Sequence, residues 1–310
     1  MLRKNKLRKS LRFIGYMTAC FILFAGVNPV FAQQKKSGGK KKKPKKEICI
    51  TFDELPVARS FGGADRKAIT YLILESLKNH KIKAAGFVVG ENVENSFDIL
   101  GQWLNDGHTL GSMTYSNQDM HELGIEQFLQ EVQMGIDAVE PMLSGFGQKK
   151  RYFRYPFLHY GNVVEAKKQV KFFLDDRLQT VVHASVVPED YLYNLSLEKL
   201  GKIPDSAAFE ALMNEYINHV LDEIERVERL AHDFIKRPVK QILLLRANRL
   251  NAIYLEEMLT AFEAMGYKFI TLKEALKDKV YSQTEAYYGT RGIGFIDMLR
   301  QSDPDLLPAE

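Results

Sequence analysis

Two adjacent carboxylates, Asp53 and Glu54, follow the apolar run "ICITF" (48–52). A carboxylate in such a place can take a proton or hold a cation. Two arginines stand at comparable positions: Arg154 ends "RYFR" and Arg246 ends "QILLLR". Arginine stays protonated at any relevant pH, so it can fix an anion or an oxyanion but cannot cycle a proton as a general acid. The seven histidines are His80, His108, His121, His159, His183, His219 and His232, and no two have the three- or four-residue spacing of paired metal ligands. His108 reads as a turn-shaping residue. His121 and His159 fall near the strand ends, where a surface or hydrogen-bonded structural role is the expectation for each. Phosphate-binding loops, Cys–His zinc ribbons and a Gly-x-Ser-x-Gly elbow are absent, which argues against a serine esterase.

The elements that must carry these residues alternate between strand and helix patterns. Strands are predicted over 48–52, 83–90, 109–113, 151–156, 180–185, 241–246 and 267–272, and helices over 65–80, 97–107, 125–143 and 162–176. That alternation calls for parallel strands with crossover helices. So many units fit one α/β domain, a single parallel (β/α) barrel, better than two small domains. The segment 206–236 keeps apolar residues at helical spacing from Phe209 to Phe234, with charges opposite. It is expected to pack along the barrel exterior. In parallel barrels the working face lies at the C-terminal ends of the strands. Asp53, Glu54, Met113 to Asn117, Arg154, Tyr155, Val187 to Asp190 and Arg246 are all predicted there.

Charge is unevenly placed. Six Lys or Arg lie in 1–12 and eight Lys in 33–46, with no acid in either, which leaves 29 basic against 39 acidic residues in 47–310. An acidic body argues against a nucleic-acid partner. Residues 1–32 read as a signal peptide: a basic start, an apolar stretch too short for a typical membrane span, and Val30 and Ala32 before a cut. A secreted or periplasmic location is the expectation. The stretch 33–46 reads as a disordered Lys-rich linker that could attach electrostatically to an anionic wall or membrane. Cys49 would then be the only cysteine, unable to form an intrachain disulfide and expected to be inert in a buried strand.

Six stretches, "ITFDELPVARSFG", "GFVVGENV", "GHTLGSMTYSN", "RYFRYPFLHYG", "PEDYLYN" and "LLLRANRLNA", resemble in their order the polysaccharide deacetylases of the NodB homology class, carbohydrate esterase family four. The resemblance covers about 47–278, with 206–236 as an insertion and 279–310 as a C-terminal extension of no assigned role. It implies a single-domain NodB-type barrel and a divalent-metal hydrolase, often a zinc enzyme, that removes acetyl groups from glycans. By the same resemblance Asp53 matches the general base and Arg154 the residue that holds it. Glu54 stands for an Asp metal ligand, while Met113 and Asn117 stand where two His ligands belong. Val187 matches the Asp that orients the catalytic acid, and Arg246 replaces that acid, a His.

These replacements have chemical consequences. Zinc prefers imidazole nitrogen and carboxylate oxygen, whereas a thioether suits soft ions and an amide oxygen hard ones. Without the metal, water keeps its pKa of 15.7 instead of about 7. That difference is on the order of 10 kcal/mol of nucleophile activation. No cofactor is therefore expected, and the function expected is that of a pseudoenzyme binding a glycan or related ligand in the old groove. Asp53, Arg154, Tyr155, Arg246 and Asn248 would form a polar floor, with Tyr115, Phe157 and Tyr191 as aromatic surfaces for sugar rings. The alternative is a polysaccharide N- or O-acetyl deacetylase acting on an acetylated oligosaccharide, with zinc or another divalent metal in an atypical site.

Overall fold

The computed structural model describes residues 45–58, 66–201 and 206–302. The predicted signal peptide and all of the Lys-rich linker but Lys45 and Lys46 lie outside the described residues. Seven strands are described: β1 (Lys46–Leu55), β2 (Ala85–Val88), β3 (Thr109–Ser112), β4 (Arg151–Phe153), β5 (Gln179–Val181), β6 (Gln241–Arg246) and β7 (Tyr267–Phe269). The helices are α1 (Arg66–Asn79), α2 (Phe97–Asn105), α3 (Met120–Leu123), α4 (Ile125–Gly145), α5 (Val164–Asp176), α6 (Asp190–Leu200), α7 (Ser206–Leu230), α8 (Arg249–Ala264), α9 (Leu272–Ala275) and α10 (Phe295–Gln301).

All pairings are parallel, in the order β5-β4-β3-β2-β1-β6. β1 is central, with Ile48, Cys49, Ile50 and Phe52 fully buried, as expected for a strand covered on both faces. Its C-terminal half pairs with β2, while β7 takes its first three residues, Lys46 to Ile48. Lys46 is thus strand and not linker: its ammonium lies 3.3 Å from Glu228 and 4.9 Å from the ring centre of Tyr267. Burial pushes the Cys49 thiol up to about 12, the inert state expected of it.

The predicted strand 180–185 divides in two. β5 covers Gln179–Val181 and pairs with β4. The chain then crosses over, and the Ser185 and Val186 amides both donate to the Ile242 carbonyl while Leu244 N–H donates to Val186. This second pairing joins β6 to the far side of the sheet and closes a distorted parallel barrel. Helix α7 buries Leu212, Tyr216, Ile217, Val220, Ile224, Val227 and Leu230 against α6, α8 and α10, most of the predicted stripe, while Phe209 and Met213 are partly buried and Phe234, beyond its end, is exposed. It ends in one wider turn over Ala231–Ile235.

The C-terminal extension is part of the barrel wall. Phe295 is fully buried and its N–H donates to the Ala184 carbonyl at 2.7 Å. Its ring stacks 3.9 Å from the imidazole of His183, which also meets the Tyr160 hydroxyl at 3.0 Å. Burial drives the His183 pKa down from 6.5 to about 3, with the charges of Arg154 and Lys167 adding to it. The folded state therefore holds this ring neutral where the unfolded chain would protonate it. Stability from this group is complete above about pH 6.5 and falls toward pH 3 by up to about 1.4 kcal/mol per pH unit. Chemical denaturation across that range should show the slope, and His183→Asn should reduce it by about that amount; an unchanged slope would mean the ring titrates normally.

Candidate functional site

The mouth of the barrel is a groove of about 630 Å³. Asp53, Glu54, Met113, Asn117, Phe157, His159, Tyr191, Arg246 and Asn248 border it together with Arg291 from the C-terminal extension. Backbone geometry sets this up locally. β1 loses regular register between Phe52 and Leu55, and Glu54 takes a left-handed conformation at φ 62°, unusual for a residue with a side chain. The loop after β3 does the same at Thr114 (φ 88°) and Asn117 (φ 57°). Gly135 of α4 lets that loop approach, because a Cβ there would stand 2.4 Å from the Thr114 carbonyl carbon.

In the floor, the guanidinium of Arg154 donates to Asp53 Oδ1 at 3.1 Å and to Thr51 Oγ1 at 3.3 Å, and it covers the Phe87 ring at 4.3 Å. Arg154 and Asp53 are both buried. Burial pushes the Asp53 carboxyl up to about 6, against the opposing pull of Arg154 and Arg246. The pair that the resemblance assigns to a base and its holder is thus present and in contact.

Arg246 is the other centre of the floor. Its Nε donates to Glu54 Oε1 at 3.1 Å and its Nη1 to Asp190 Oδ1 at 2.7 Å. Asp190 is wholly buried, and its Oδ2 accepts from the Arg246 N–H at 2.7 Å, from Asn251 at 2.6 Å and from Asn248 at 3.3 Å. Burial opposes the charge on Arg246, but Asp190 and Glu54 outweigh it, leaving the guanidinium more firmly protonated than usual. The sequence places Asp190 at this strand end but assigns it no role. The resemblance put the orienting carboxylate at Val187, three residues earlier, which is a half-buried apolar wall residue of the groove. A polar residue at the N-terminus of α6, facing the end of β6, was the available signal.

The positions that the resemblance assigns to a metal do not fit a zinc-class ion. Glu54 already neutralises a guanidinium. Met113 is a buried thioether, and the Asn117 amide oxygen is a buried acceptor with no hydrogen-bond partner. An ion would have to displace Arg246 and would still find two poorly matched donors.

The remaining predicted residues separate. Phe157 and Tyr191 are about half exposed and border the groove, Tyr191 under the Arg246 guanidinium at 5.0 Å. Asn248 borders it too, but its side chain already caps α8 through the Asn251 N–H and donates to Asp190. Tyr155 and Tyr115 are corrections. Tyr155 is buried against Phe128, Phe153 and Tyr160 and does not border the groove. Tyr115 is held away by the exchange of its backbone with Glu131 and Glu91 and packs on Gly90. Alternation explains Tyr155: next to Arg154 on an extended chain, it faces the opposite side. His121 and His159, 38 residues apart in the chain and so invisible to any spacing rule, stack with ring centres 4.4 Å apart.

Comparison with known proteins agrees with the geometry. Residues 40–172 match the family model described as polysaccharide deacetylase. A peptidoglycan-N-acetylglucosamine deacetylase of Bacillus cereus is 28% identical over 137 residues, covering 44% of each chain. One from Listeria monocytogenes is 23% identical over 240 residues, 77% of this chain and 41% of that one. The chain thus spans less than half the length of these curated relatives. Among solved structures, a carbohydrate esterase family four pseudoenzyme from Bacillus anthracis superposes with TM-score 0.52 at 19% identity, over 75% of this chain and 66% of that one. A mutant pseudoenzyme of that family with restored activity gives 0.53 at 20% identity, over 75% and 68%. A peptidoglycan N-acetylglucosamine deacetylase gives 0.51 at 21% identity, over 74% and 88%. Residues 40–172 are thus similar to the polysaccharide deacetylases, and the barrel has the fold of the carbohydrate esterase family four structures.

Proposed function

We propose that this is an exported polysaccharide deacetylase-like protein that binds a glycan or related ligand in the groove without hydrolysing it. The observation that carries the reading is the Arg246 guanidinium fixed between Glu54 and Asp190. It supplies a permanent cation where the resemblance requires a metal ligand to be free, and it cannot give up a proton. The rest of the groove suits a neutral polyol. Phe157 and Tyr191 offer aromatic faces, and the unpartnered Asn117 oxygen offers an acceptor to a sugar hydroxyl or N-acetyl N–H. The nature of its relatives favours wall glycans as the ligand class. The B. anthracis pseudoenzyme is a solved example of this fold without the activity. Export rests on the N-terminal sequence alone, and attachment to an anionic wall or membrane on its lysines.

A second reading, a metal-dependent N- or O-acetyl deacetylase with an atypical site, is favoured by the intact Asp53–Arg154 pair. One experiment separates the two. Chito-oligosaccharides and peptidoglycan fragments are titrated calorimetrically, and acetate release is followed with added zinc, cobalt or nickel. Saturable binding is expected, weakened roughly fivefold by Tyr191→Ala through loss of a stacking face worth on the order of 1 kcal/mol. Acetate release is expected to stay at the level of buffer. Release that stops on chelation would establish the second reading instead.

A further inference from the structure

Outside the floor, Asp119, His121 and His159 bring a carboxylate and two imidazoles together, with one ligand atom of each within 4.8 Å of the others. The elements hold them there. Asp119 caps the short helix α3, accepting from the His121 N–H at 2.9 Å. His159 follows the turn Pro156–Leu158, and its Nδ1 lies 2.8 Å from both oxygens of Asp119. His121 Nε2 is buried and has no hydrogen-bond partner. A buried imidazole nitrogen left without a partner costs on the order of 1–3 kcal/mol, which a ligand would recover.

The geometry points to a second, displaced cation site: Asp119, His121 and His159 bind a divalent transition ion of the zinc class on the rim of the groove. Two imidazole nitrogens and one carboxylate oxygen make the three-ligand zinc set that leaves a fourth position open. The ion would lie between Asp119 and His159 in place of their shared hydrogen-bonding proton, with His121 turning its free nitrogen toward it. His159 borders the groove that Asp53 floors, so the open position is within reach of a ligand lying there. This site shares no residue with the positions the resemblance assigns to a metal, and it does not depend on whether the protein hydrolyses its ligand.

The test is titration of the full chain with Zn²⁺ alone, with Co²⁺ absorption as a spectroscopic readout of nitrogen ligation. One ion per chain is expected. Asp119→Asn should weaken binding by more than the roughly 100-fold ceiling typical of residues outside the ligand set, while an Asn still caps α3 and keeps the fold. His121→Ala should do the same, with folding checked by thermal melting. Absence of zinc binding by the wild-type chain would overturn this inference and leave the non-catalytic reading intact. Zinc binding that survives both substitutions but is lost with Glu54→Gln would overturn both.

Discussion

Asp190→Ala is expected to lower the unfolding free energy by about 3–5 kcal/mol, the usual cost of removing one partner of a buried ion pair. The carboxylate is wholly buried and meets the Arg246 guanidinium, the Arg246 N–H and the amides of Asn248 and Asn251. Truncation takes this acceptor from all four donors, leaving the Arg246 guanidinium with Glu54 and the Asn251 amide with the Arg246 carbonyl. In a body of this size each kcal/mol moves the melting temperature by roughly 2–4 °C, so a drop of about 10 °C is expected. Asp190→Asn keeps the shape and one acceptor and should lose less. Urea denaturation of both variants measures this, and a loss under about 1 kcal/mol for the alanine would show that water already screens the network.

Much of this arrangement was readable from residue order. The strand and helix patterns placed the barrel, the long helix α7 and the strand ends that gather Asp53, Glu54, Arg154 and Arg246, because hydrophobic periodicity reports burial directly. Three things were not readable, each for a physical reason. The Asp190–Arg246 pair bridges 56 residues, and one sequence carries no record of which charges meet. The division of the predicted strand 180–185 comes from barrel closure, a property of the whole sheet and not of those six residues. The C-terminal extension gave no chemical pattern, yet Gly292 lies so close to the Phe157 carbonyl that a Cβ would overlap it, and Thr290 and Arg291 border the groove. Tyr155 shows a fourth effect: a strand-end residue adjacent to a floor residue points into the core instead.

The second large effect concerns rebuilding the positions that lack imidazoles. Met113→His with Asn117→His supplies two nitrogen donors beside Glu54, and should raise zinc affinity there only modestly while Arg246 stays. A retained unit charge about 4 Å from a divalent ion, at an effective dielectric near 20, costs about 8 kcal/mol before neighbouring carboxylates offset it. Adding Arg246→His removes that charge and frees the Glu54 carboxylate, so affinity should rise by a further factor of about 100 or more. The triple variant also places at 246 a residue that can cycle a proton, which the double variant lacks. Arg246→His weakens the contacts to Asp190, so a lower melting temperature should accompany the gain.

That series tests the central claim, that the Arg246 guanidinium takes the place of the ion the resemblance implies. Zinc affinity is measured for the double and triple variants in a His121→Ala background, which removes the rim ligands from the comparison. The account predicts weak binding by the double variant and a gain of about 100-fold or more when Arg246 becomes His. Tight binding by the double variant with Arg246 in place, or no gain when it is replaced, would contradict it.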